Sequence, residues 1–299
     1  MQQNGCVEPF LDPLLVNSSL KNNQLITSAE FSLKKTLPLL DNVEGIFAIN
    51  SCFRQEEPSG LHAQEFFMLE YYLNDFDYLD QAKFFLELLK SVNTKYFLEG
   101  SKLPSISFHR WFFEVSKTSW PQGENMWKGE QHLEYYLDQC FTVLKKVLNL
   151  KENKFLLLDM PQKEQLVIEH LSVFLDIHIE VYAHKNFENQ FWCLYDFPII
   201  LQGMSMSNYS NYTCKRLEVY FGNIEIGNAY QEIYDKHELE KIWVKNNRIR
   251  KGMNKLPHKI DYELLQQTHL MKKVSGMAIG VERLAMVLFG ITSIDKFQI

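Results

Sequence analysis

The sequence predicts an α+β protein, with antiparallel β-strands flanked by helices. Two stretches, residues 45–72 and 216–228, each contain two β-prone runs separated by a short segment of turn-forming residues, which is the pattern of a β-hairpin. Elsewhere, apolar residues recur at the three- and four-residue spacing of amphipathic helices. Together these patterns predict an antiparallel sheet with helices packed around it.

The composition is that of a globular protein. The chain has 299 residues, of which 46% are hydrophobic and 23% charged, enough for one sizeable core or two small ones. The formal charge of −6 argues against a nucleic-acid-binding surface, which is normally basic. Five cysteines without paired spacing argue against a disulfide framework. Since no signal peptide or membrane-spanning run is visible, we expect a cytoplasmic protein without membrane contact.

The first hairpin carries an unusual set of polar side chains. It reads FRQEEPSGLHAQEFFMLEYY from Phe53 to Tyr72, with Pro and Gly in the loop between its two runs. Arg54 beside acidic residues suits a phosphate-bearing ligand held with a metal ion, because guanidinium groups bind phosphate oxygens and carboxylates bind Mg²⁺. Phe66 could stack on a base. The alternative is a hairpin whose charges pair with one another.

The second hairpin brings two carboxylates close to its turn. Strands are predicted at 216–221 and 224–228, joined at the dipeptide 222–223, Gly-Asn, a hairpin signal. Glu218 and Glu225 flank this turn, so both carboxylates can approach one point. Spacing alone favours two carboxylates on a solvated face of the hairpin.

Helical periodicity and β-prone runs predict the remaining elements. Residues 25–31 are predicted as a short strand that feeds a helix at 32–38, with a helix N-cap at Thr27 or Ser28 as the alternative. Further helices are predicted at residues 77–89, 129–148, 162–175 and 236–251, strands at 177–183 and 190–195, and a strand followed by a helix at 275–284.

The middle of the chain carries no predicted chemistry. Its aromatic residues are expected in the core, and its histidines packed or on the surface. The residues concerned are Trp111, Phe112, Phe113, Trp120, Trp127, His109, His132 and His170. The basic run at 248–251 is expected to be a solvated helix end, because a helix C-terminus favours cations.

Three stretches, in order along the chain, resemble one enzyme class. FRQEEPSGLHAQEFFMLE resembles motif 2 of the class II aminoacyl-tRNA synthetases in its lysyl form, and residues 275–284 resemble motif 3. Between them, residues 217–232 resemble the metal- and lysine-binding block of lysyl-tRNA synthetases. The resemblance runs from about Leu25 to Phe297, is weak in the middle, and is greatest to the short lysyl-tRNA synthetase paralogues that attach lysine to elongation factor P. It implies the class II catalytic core as the fold.

The resemblance implies a site for ATP and Mg²⁺. Arg54 and Arg283 are its catalytic residues, and Glu218 and Glu225 hold the metal ion. The implied ATP-binding residues are Arg54, Gln55, Glu56, His62, Phe66, Glu225, Ile226, Gly280 and Arg283.

The resemblance also implies a site for lysine. Glu30 lies near the α-amine and Glu232 binds the ε-ammonium, whose burial without a partner would cost several kcal/mol. Ala278 stands where lysyl-tRNA synthetases have glycine and the elongation factor P paralogues have alanine, a difference associated with preference for a β-amino isomer of lysine. The implied substrate-binding residues are Ser28, Ala29, Glu30, Tyr72, Asn228, Glu232 and Ala278.

Two features of the family have no match in the sequence. Residues 1–24 leave no room for motif 1, the helix and strand that build the dimer interface, so the usual homodimer is in doubt. Nothing before Leu25 resembles an anticodon-binding barrel. We therefore expect residues 25–299 to be a catalytic domain that acylates something other than tRNA.

The function that the resemblance implies has two steps. ATP activates lysine or β-lysine as an aminoacyl-adenylate, and the amino acid is transferred to a lysine side chain of elongation factor P. Three alternatives stay open: a truncated lysyl-tRNA synthetase that acylates tRNA, an amide-forming relative, and a non-catalytic protein that binds an amino acid or an adenylate.

Overall fold

The computed structural model of the chain describes residues 25–55, 57–92, 102–122, 130–151, 155–252 and 255–297. These residues form a β-sheet and surrounding helices, which confirms the predicted α+β class. The strands are β1 (Gly45–Phe53), β2 (Glu65–Asn74), β3 (Ser105–Ser107), β4 (Phe191–Pro198), β5 (Ser207–Asn208), β6 (Thr213–Phe221), β7 (Ile224–Gln231) and β8 (Val274–Gly280). The α-helices are α1 (Glu30–Thr36), α2 (Asp80–Val92), α3 (Phe108–Ser116), α4 (Glu130–Val147), α5 (Met160–Asn186), α6 (Lys236–Gly252), α7 (Tyr262–Gln267) and α8 (Val281–Phe289).

The sheet has the strand order β1-β2-β8-β7-β6-β4-β3, with β5 paired to β6. Neighbouring strands are antiparallel except β3 and β4, which are parallel. Both predicted hairpins, β1–β2 and β6–β7, are confirmed, and Gly222 in the second turn has a φ of +54°, which favours glycine. β8 lies between the hairpins, bonded to β2 on one side and to β7 on the other. The centre of the sheet is therefore built from stretches far apart in the chain.

Helix α5 corrects one prediction. Residues 177–183 were expected to form a strand, but they belong to this 27-residue helix. Ile177 and Val181 are 50% and 63% exposed, whereas Ile179 and Ala183 are buried, which is the one-sided burial of a helix on a core. The β-branched alternation in this segment favours a strand locally, and packing of the helix against the core overrides it.

The chain before α1 corrects another. Residues 25–31 were expected to begin as a strand, but α1 already starts at Glu30, and its N-cap position, Ala29, provides no side-chain cap. Ser28 Oγ instead accepts a hydrogen bond from the Glu30 N–H at 3.0 Å. A backbone bond of 2.8 Å from Phe53 N–H to the Ile26 carbonyl ties this segment to β1.

The main hydrophobic core lies between the sheet and helices α3, α4 and α5. Trp111, Phe112 and Trp120 are buried in it as predicted, whereas Phe113 is 52% exposed because it lies on the outer face of α3; Trp127 falls outside the described residues. The described cysteines, Cys52, Cys140, Cys193 and Cys214, are buried and unpaired. Among the residues that the structure describes, no helix combines the length and apolar character needed to cross a bilayer.

The basic end of α6 is solvated in part. Arg248 and Lys251 are exposed, as expected. Arg250 and Ile249 are buried, and Arg250 Nε donates a hydrogen bond of 2.7 Å to the Leu256 carbonyl. This end of α6 therefore faces solvent on one side and anchors the following segment on the other.

Candidate active site

A pocket opens over the three central strands, β2, β8 and β7, with α1 along one side and the start of α8 along another. Because side chains alternate along a strand, residues two apart share a face, and register aligns them in rows. One row is Glu70, Ala278 and Asn228, and the next is Tyr72, Gly276 and Tyr230. All six line the pocket.

Residues from all three motif stretches meet in this pocket. The sequence-predicted site residues that line it are Ser28, Glu30, Arg54, His62, Phe66, Tyr72, Glu225, Ile226, Asn228, Glu232, Ala278, Gly280 and Arg283. Ala29, Gln55 and Glu218 are not part of its lining, and Glu56 falls outside the described residues. The roles assigned to these residues remain predictions.

Arg54 presents unused donors to the pocket. Its guanidinium lies over the ring of Phe66, 5.0 Å from the centroid, and Nη2 contacts Met68 Sδ at 3.6 Å. The buried Nε has no hydrogen-bond partner among the described residues. Since a buried donor without a partner is costly, this arrangement fits an anionic ligand such as a phosphate.

Arg283, in the first turn of α8, joins the motif stretches. Its Nε donates to the Leu61 carbonyl at 3.1 Å and its Nη1 to the Glu225 carbonyl at 3.2 Å. The next residue back, Glu282, accepts a 2.8 Å bond from the Phe67 N–H. Sequence reasoning had not singled out Glu282. These contacts fix the hairpin loop and β7 relative to α8.

Gly280, just before α8, leaves open space beside the arginine. A Cβ built on Gly280 would approach protein atoms only at 3.8 Å, from the Arg283 side chain. That is ordinary van der Waals contact, so the protein alone does not require glycine here. The open space belongs to the pocket, where a ligand can approach the backbone closely.

A buried ion-pair cluster closes the opposite end of the pocket. Lys34 Nζ lies 2.5 Å from Glu232 Oε2 and 2.5 Å from Glu30 Oε1. The other oxygen of Glu232, Oε1, is buried and has no hydrogen-bond partner within the described part of the chain. Burial raises the pKa of Glu232 to about 7, although Lys34 opposes the shift. The motifs do not identify Lys34, although its spacing of four residues from Glu30 is that of a helical ion pair.

Glu70 is a third residue to which the sequence assigned no role. It is buried on β2 and accepts hydrogen bonds from Ser28 Oγ at 2.5 Å and from the Ala29 N–H at 2.6 Å. Burial raises the pKa of Glu70, and these two bonds oppose the shift. The available signal was its position two residues before Tyr72, which puts both on the same strand face. Ala29 therefore contacts Glu70 through its backbone N–H and not through its side chain.

Glu218 lies beneath the pocket wall, not in it. Its carboxylate accepts hydrogen bonds from Arg216 Nη2 and from the Tyr220 hydroxyl. Arg216 also donates to the Leu201 carbonyl at 2.9 Å and to Asn228 Oδ1 at 3.2 Å. Burial raises the pKa of Glu218 to about 7. This network fixes the amide of Asn228, which does line the pocket.

The predicted metal pair is therefore unequal. Glu225 opens into the pocket, and a single carboxylate with phosphate oxygens and water can hold Mg²⁺. Each oxygen of Glu218 already accepts one hydrogen bond, from Arg216 or from Tyr220, so a metal ion there would share the carboxylate with these donors. Across the described residues, no cluster of three or more His, Cys, Asp or Glu side chains is arranged to hold a metal ion.

Comparison with known proteins identifies the family of the chain. The model of a family described as tRNA synthetases class II (D, K and N) matches residues 11–299. A protein named elongation factor P–(R)-β-lysine ligase from Buchnera aphidicola subsp. Schizaphis graminum is 28% identical over 308 residues, covering 99% of this chain and 85% of that protein. Proteins of the same name from Photobacterium profundum and Vibrio parahaemolyticus are 28% and 26% identical, over 91% of this chain and 76% and 75% of theirs. The resemblance predicted from the motifs is confirmed.

Proposed function

The chain belongs to the class II tRNA synthetase family, and we propose that it activates lysine or β-lysine with ATP and transfers it to a lysine side chain of elongation factor P. It is an ATP-dependent amino-acid ligase of that family; the amino acid, the adenylate and the acceptor are the proposal. On the same basis we propose residues 25–299 as the catalytic domain, Mg²⁺ as the accompanying ion and the cytoplasm as the place of action.

The free oxygen of Glu232 is the observation that carries the choice of amino acid. An ionised carboxylate buried with one oxygen unsatisfied is costly, and an ammonium group would supply the missing donor. Lys34 already uses the other oxygen, so the carboxylate can receive a second cation. A lysine-type side chain ends in such a cation, whereas an acidic side chain would be repelled by Glu232 and an amide side chain would supply a hydrogen bond but no positive charge.

The first chemical step joins the two ends of the pocket. The amino-acid carboxylate attacks the α-phosphorus of ATP, the bond to the β-phosphate oxygen breaks, and pyrophosphate leaves. Arg54, Phe66 and Arg283 line the pocket, which supports the proposal that the two arginines stabilise negative charge on the phosphates and that Phe66 stacks on the base. Positioning and preorganised charge supply most of the catalysis in such transfers. Glu225 would hold Mg²⁺, which neutralises phosphate charge when bound.

The second step forms an amide. The amine of an acceptor lysine, unprotonated, attacks the carbonyl carbon of the adenylate, the bond to the phosphate oxygen breaks, and AMP leaves while the amine gives up a proton. Ala278 lies on the pocket floor between Glu70 and Asn228. The methyl group of Ala278 favours β-lysine as the proposed substrate, and the relatives are named for (R)-β-lysine.

Amino-acid-dependent exchange of pyrophosphate into ATP tests the first step. We expect exchange with α-lysine or β-lysine and none above background with other amino acids. Arg54→Ala should lower the rate by at least about 10²-fold, the effect of removing one charge-stabilising donor. Arg110→Ala is the matched control, because Arg110 is exposed and pairs with Glu114. Exchange with no amino acid, or full activity in Arg54→Ala, would contradict the proposal.

Transfer separates the acceptors. The protein, ATP and the activating lysine isomer are incubated either with elongation factor P or with tRNA, and the products are measured by mass spectrometry and by acid-precipitable label. We expect one added lysyl group on elongation factor P and no charged tRNA. Charged tRNA alone would instead identify a lysyl-tRNA synthetase.

A further inference from the structure

Lys34 is a buried cation whose partners both belong to the pocket. Only 4% of the residue is exposed, and it does not itself line the pocket, whereas Glu30 and Glu232 do. Its Nζ lies 5.6 Å from the ring centroid of Tyr72, another lining residue. Lys34 thus stands behind the pocket wall and reaches the ligand only through these neighbours.

The position of Lys34 constrains the two carboxylates. Glu30 Oε1 and Glu232 Oε2 each lie 2.5 Å from the same nitrogen, so these oxygens can be at most 5 Å apart. Two ionised carboxylates at this separation repel each other, and without a cation between them one would take up a proton. Burial disfavours the charged form of Lys34, but Glu232 and Glu30 outweigh it and raise the pKa of Lys34, so the lysine stays charged.

The charges at this end of the pocket match a particular ligand. When Glu30, Glu70 and Glu232 are all ionised, their three negative charges meet one cation, on Lys34, and two negative charges remain at this end of the pocket. Arg54, the other cation near Glu70, lies at the end assigned to phosphates. An amino acid with two ammonium groups balances the remainder, whereas an amino acid with one leaves a buried carboxylate uncompensated, which is costly.

We propose that Lys34 is a positioning residue that holds Glu30 and Glu232 ready to receive a cation and so makes the pocket selective for amino acids with two ammonium groups. This inference rests on the function proposed for the site. Lys34 opposes protonation of Glu232, so an ammonium group that enters beside Glu232 displaces less proton than it would without Lys34. Without it, the two carboxylates share a proton at neutral pH, and binding of the second ammonium group must expel it.

The test compares Lys34→Met with Lys35→Met, the same substitution one residue along α1. Lys35 pairs with Asp261 and Glu263, at 3.0 and 3.1 Å and outside the pocket. Calorimetry measures the affinity of each protein for the activating lysine isomer and for norleucine, which has the same carbon chain and one amino group. The charged groups that act on Glu232 are Lys34 and Glu30, both from α1.

We expect Lys34→Met to lose at least about tenfold in affinity for the lysine isomer at pH 7 and to regain it at about pH 8.5, since each pH unit below a carboxyl pKa costs about tenfold. The affinity for norleucine should not fall, because the shared proton can stay bound to Glu232 beside the terminal methyl group of norleucine. Lys35→Met should match the wild type throughout. If Lys34→Met does not fold, the same measurements are made on Lys34→Gln, which removes the charge but keeps hydrogen-bonding groups, and the same results are expected.

The outcomes are distinct. Equal losses for both ligands, a loss that persists at the higher pH, or no loss at all in Lys34→Met would overturn the inference while leaving the proposed function standing. A wild-type protein that binds no lysine isomer would refute the proposed function, and the role of Lys34 with it. A purely structural role for the ion pairs would lower Tm without changing the preference between the two ligands.

Discussion

Gly276 on β8 is the position where one methyl group should disturb the amino-acid site most directly. A Cβ built there would lie 2.3 and 2.4 Å from two ring carbons of Tyr72 and 3.0 Å from the Tyr71 carbonyl oxygen. Carbon atoms normally approach no closer than about 3.5 Å, and the neighbouring backbone cannot retreat because β2 and β8 are hydrogen-bonded. The ring of Tyr72 must therefore move by about 1 Å, and that ring lines the pocket.

Two magnitudes follow from this displacement. Overpacking of a buried site costs about 1–3 kcal/mol of stability, which lowers Tm by several degrees at this size. A shift of about 1 Å in a substrate-positioning group lowers rates by about 10²-fold, or about 2.7 kcal/mol in the activation barrier. We therefore expect Gly276→Ala to remain folded and to lose about 10²-fold in kcat/KM for the amino acid, with a small change in KM for ATP.

A double-mutant cycle measured by pyrophosphate exchange tests the cause. In a Tyr72→Ala background the ring is absent, so adding Gly276→Ala should change kcat/KM less than about threefold. Gly60→Ala is the control, since a Cβ there meets nothing within 4 Å. A kcat/KM for Gly276→Ala within twofold of wild type, or an effect as large without the Tyr72 ring as with it, would contradict displacement of that ring as the cause.

Three further predictions concern protons, stability and isomer preference. Burial raises the pKa of Glu232 to about 7, so Glu232 is largely protonated in the free protein below that pH, and a bound ammonium group lowers this pKa. Calorimetry of lysine binding at about pH 6, in buffers of different ionisation enthalpy, should therefore show proton release. This release should vanish at about pH 8.5 and in Glu232→Gln. Glu218→Gln leaves the buried Arg216 without its carboxylate and should lower the free energy of unfolding in urea by about 3 kcal/mol, whereas Glu87→Gln, in an exposed pair, should cost less than about 1 kcal/mol. Ala278→Gly removes a methyl group from the pocket floor and should shift the kcat/KM ratio about tenfold from β-lysine towards α-lysine; an unchanged ratio would show that the methyl does not set the preference.

Local signals carried much of the sequence-based prediction. The Gly-Asn turn and the alternating runs around it predict the β6–β7 hairpin without knowledge of the rest of the chain, and the loop with Pro58 and Gly60 does the same for β1–β2. The motif stretches could be ordered from sequence, and the structure brings them into one pocket. What the local pattern could not supply was which of their side chains are already occupied by other protein groups.

The missed features depend on contacts between distant residues. Glu282 accepts a hydrogen bond from the Phe67 N–H, 215 positions away, and Lys34 pairs with Glu232, about 200 positions away. No periodicity reports such pairs. The same limit applies to Glu218, because its spacing from Glu225 predicts a metal pair but does not predict the hydrogen bonds that Glu218 accepts from Arg216 and Tyr220.

The position of β8 between β2 and β7 has a consequence for folding of the chain during its synthesis on the ribosome. The strand that joins the two hairpins is made after both of them, and its pairing with β2 spans about 200 residues, so the pocket closes through contacts of very high sequence separation, which form slowly. A nascent chain that has not yet released residues 274–280 has two unjoined hairpins and no amino-acid site. A stop codon or a protease cut before Val274 removes a strand from the middle of the sheet, so the remaining fragment should have no activity. The fragment also exposes two unpaired strand edges, which promote aggregation.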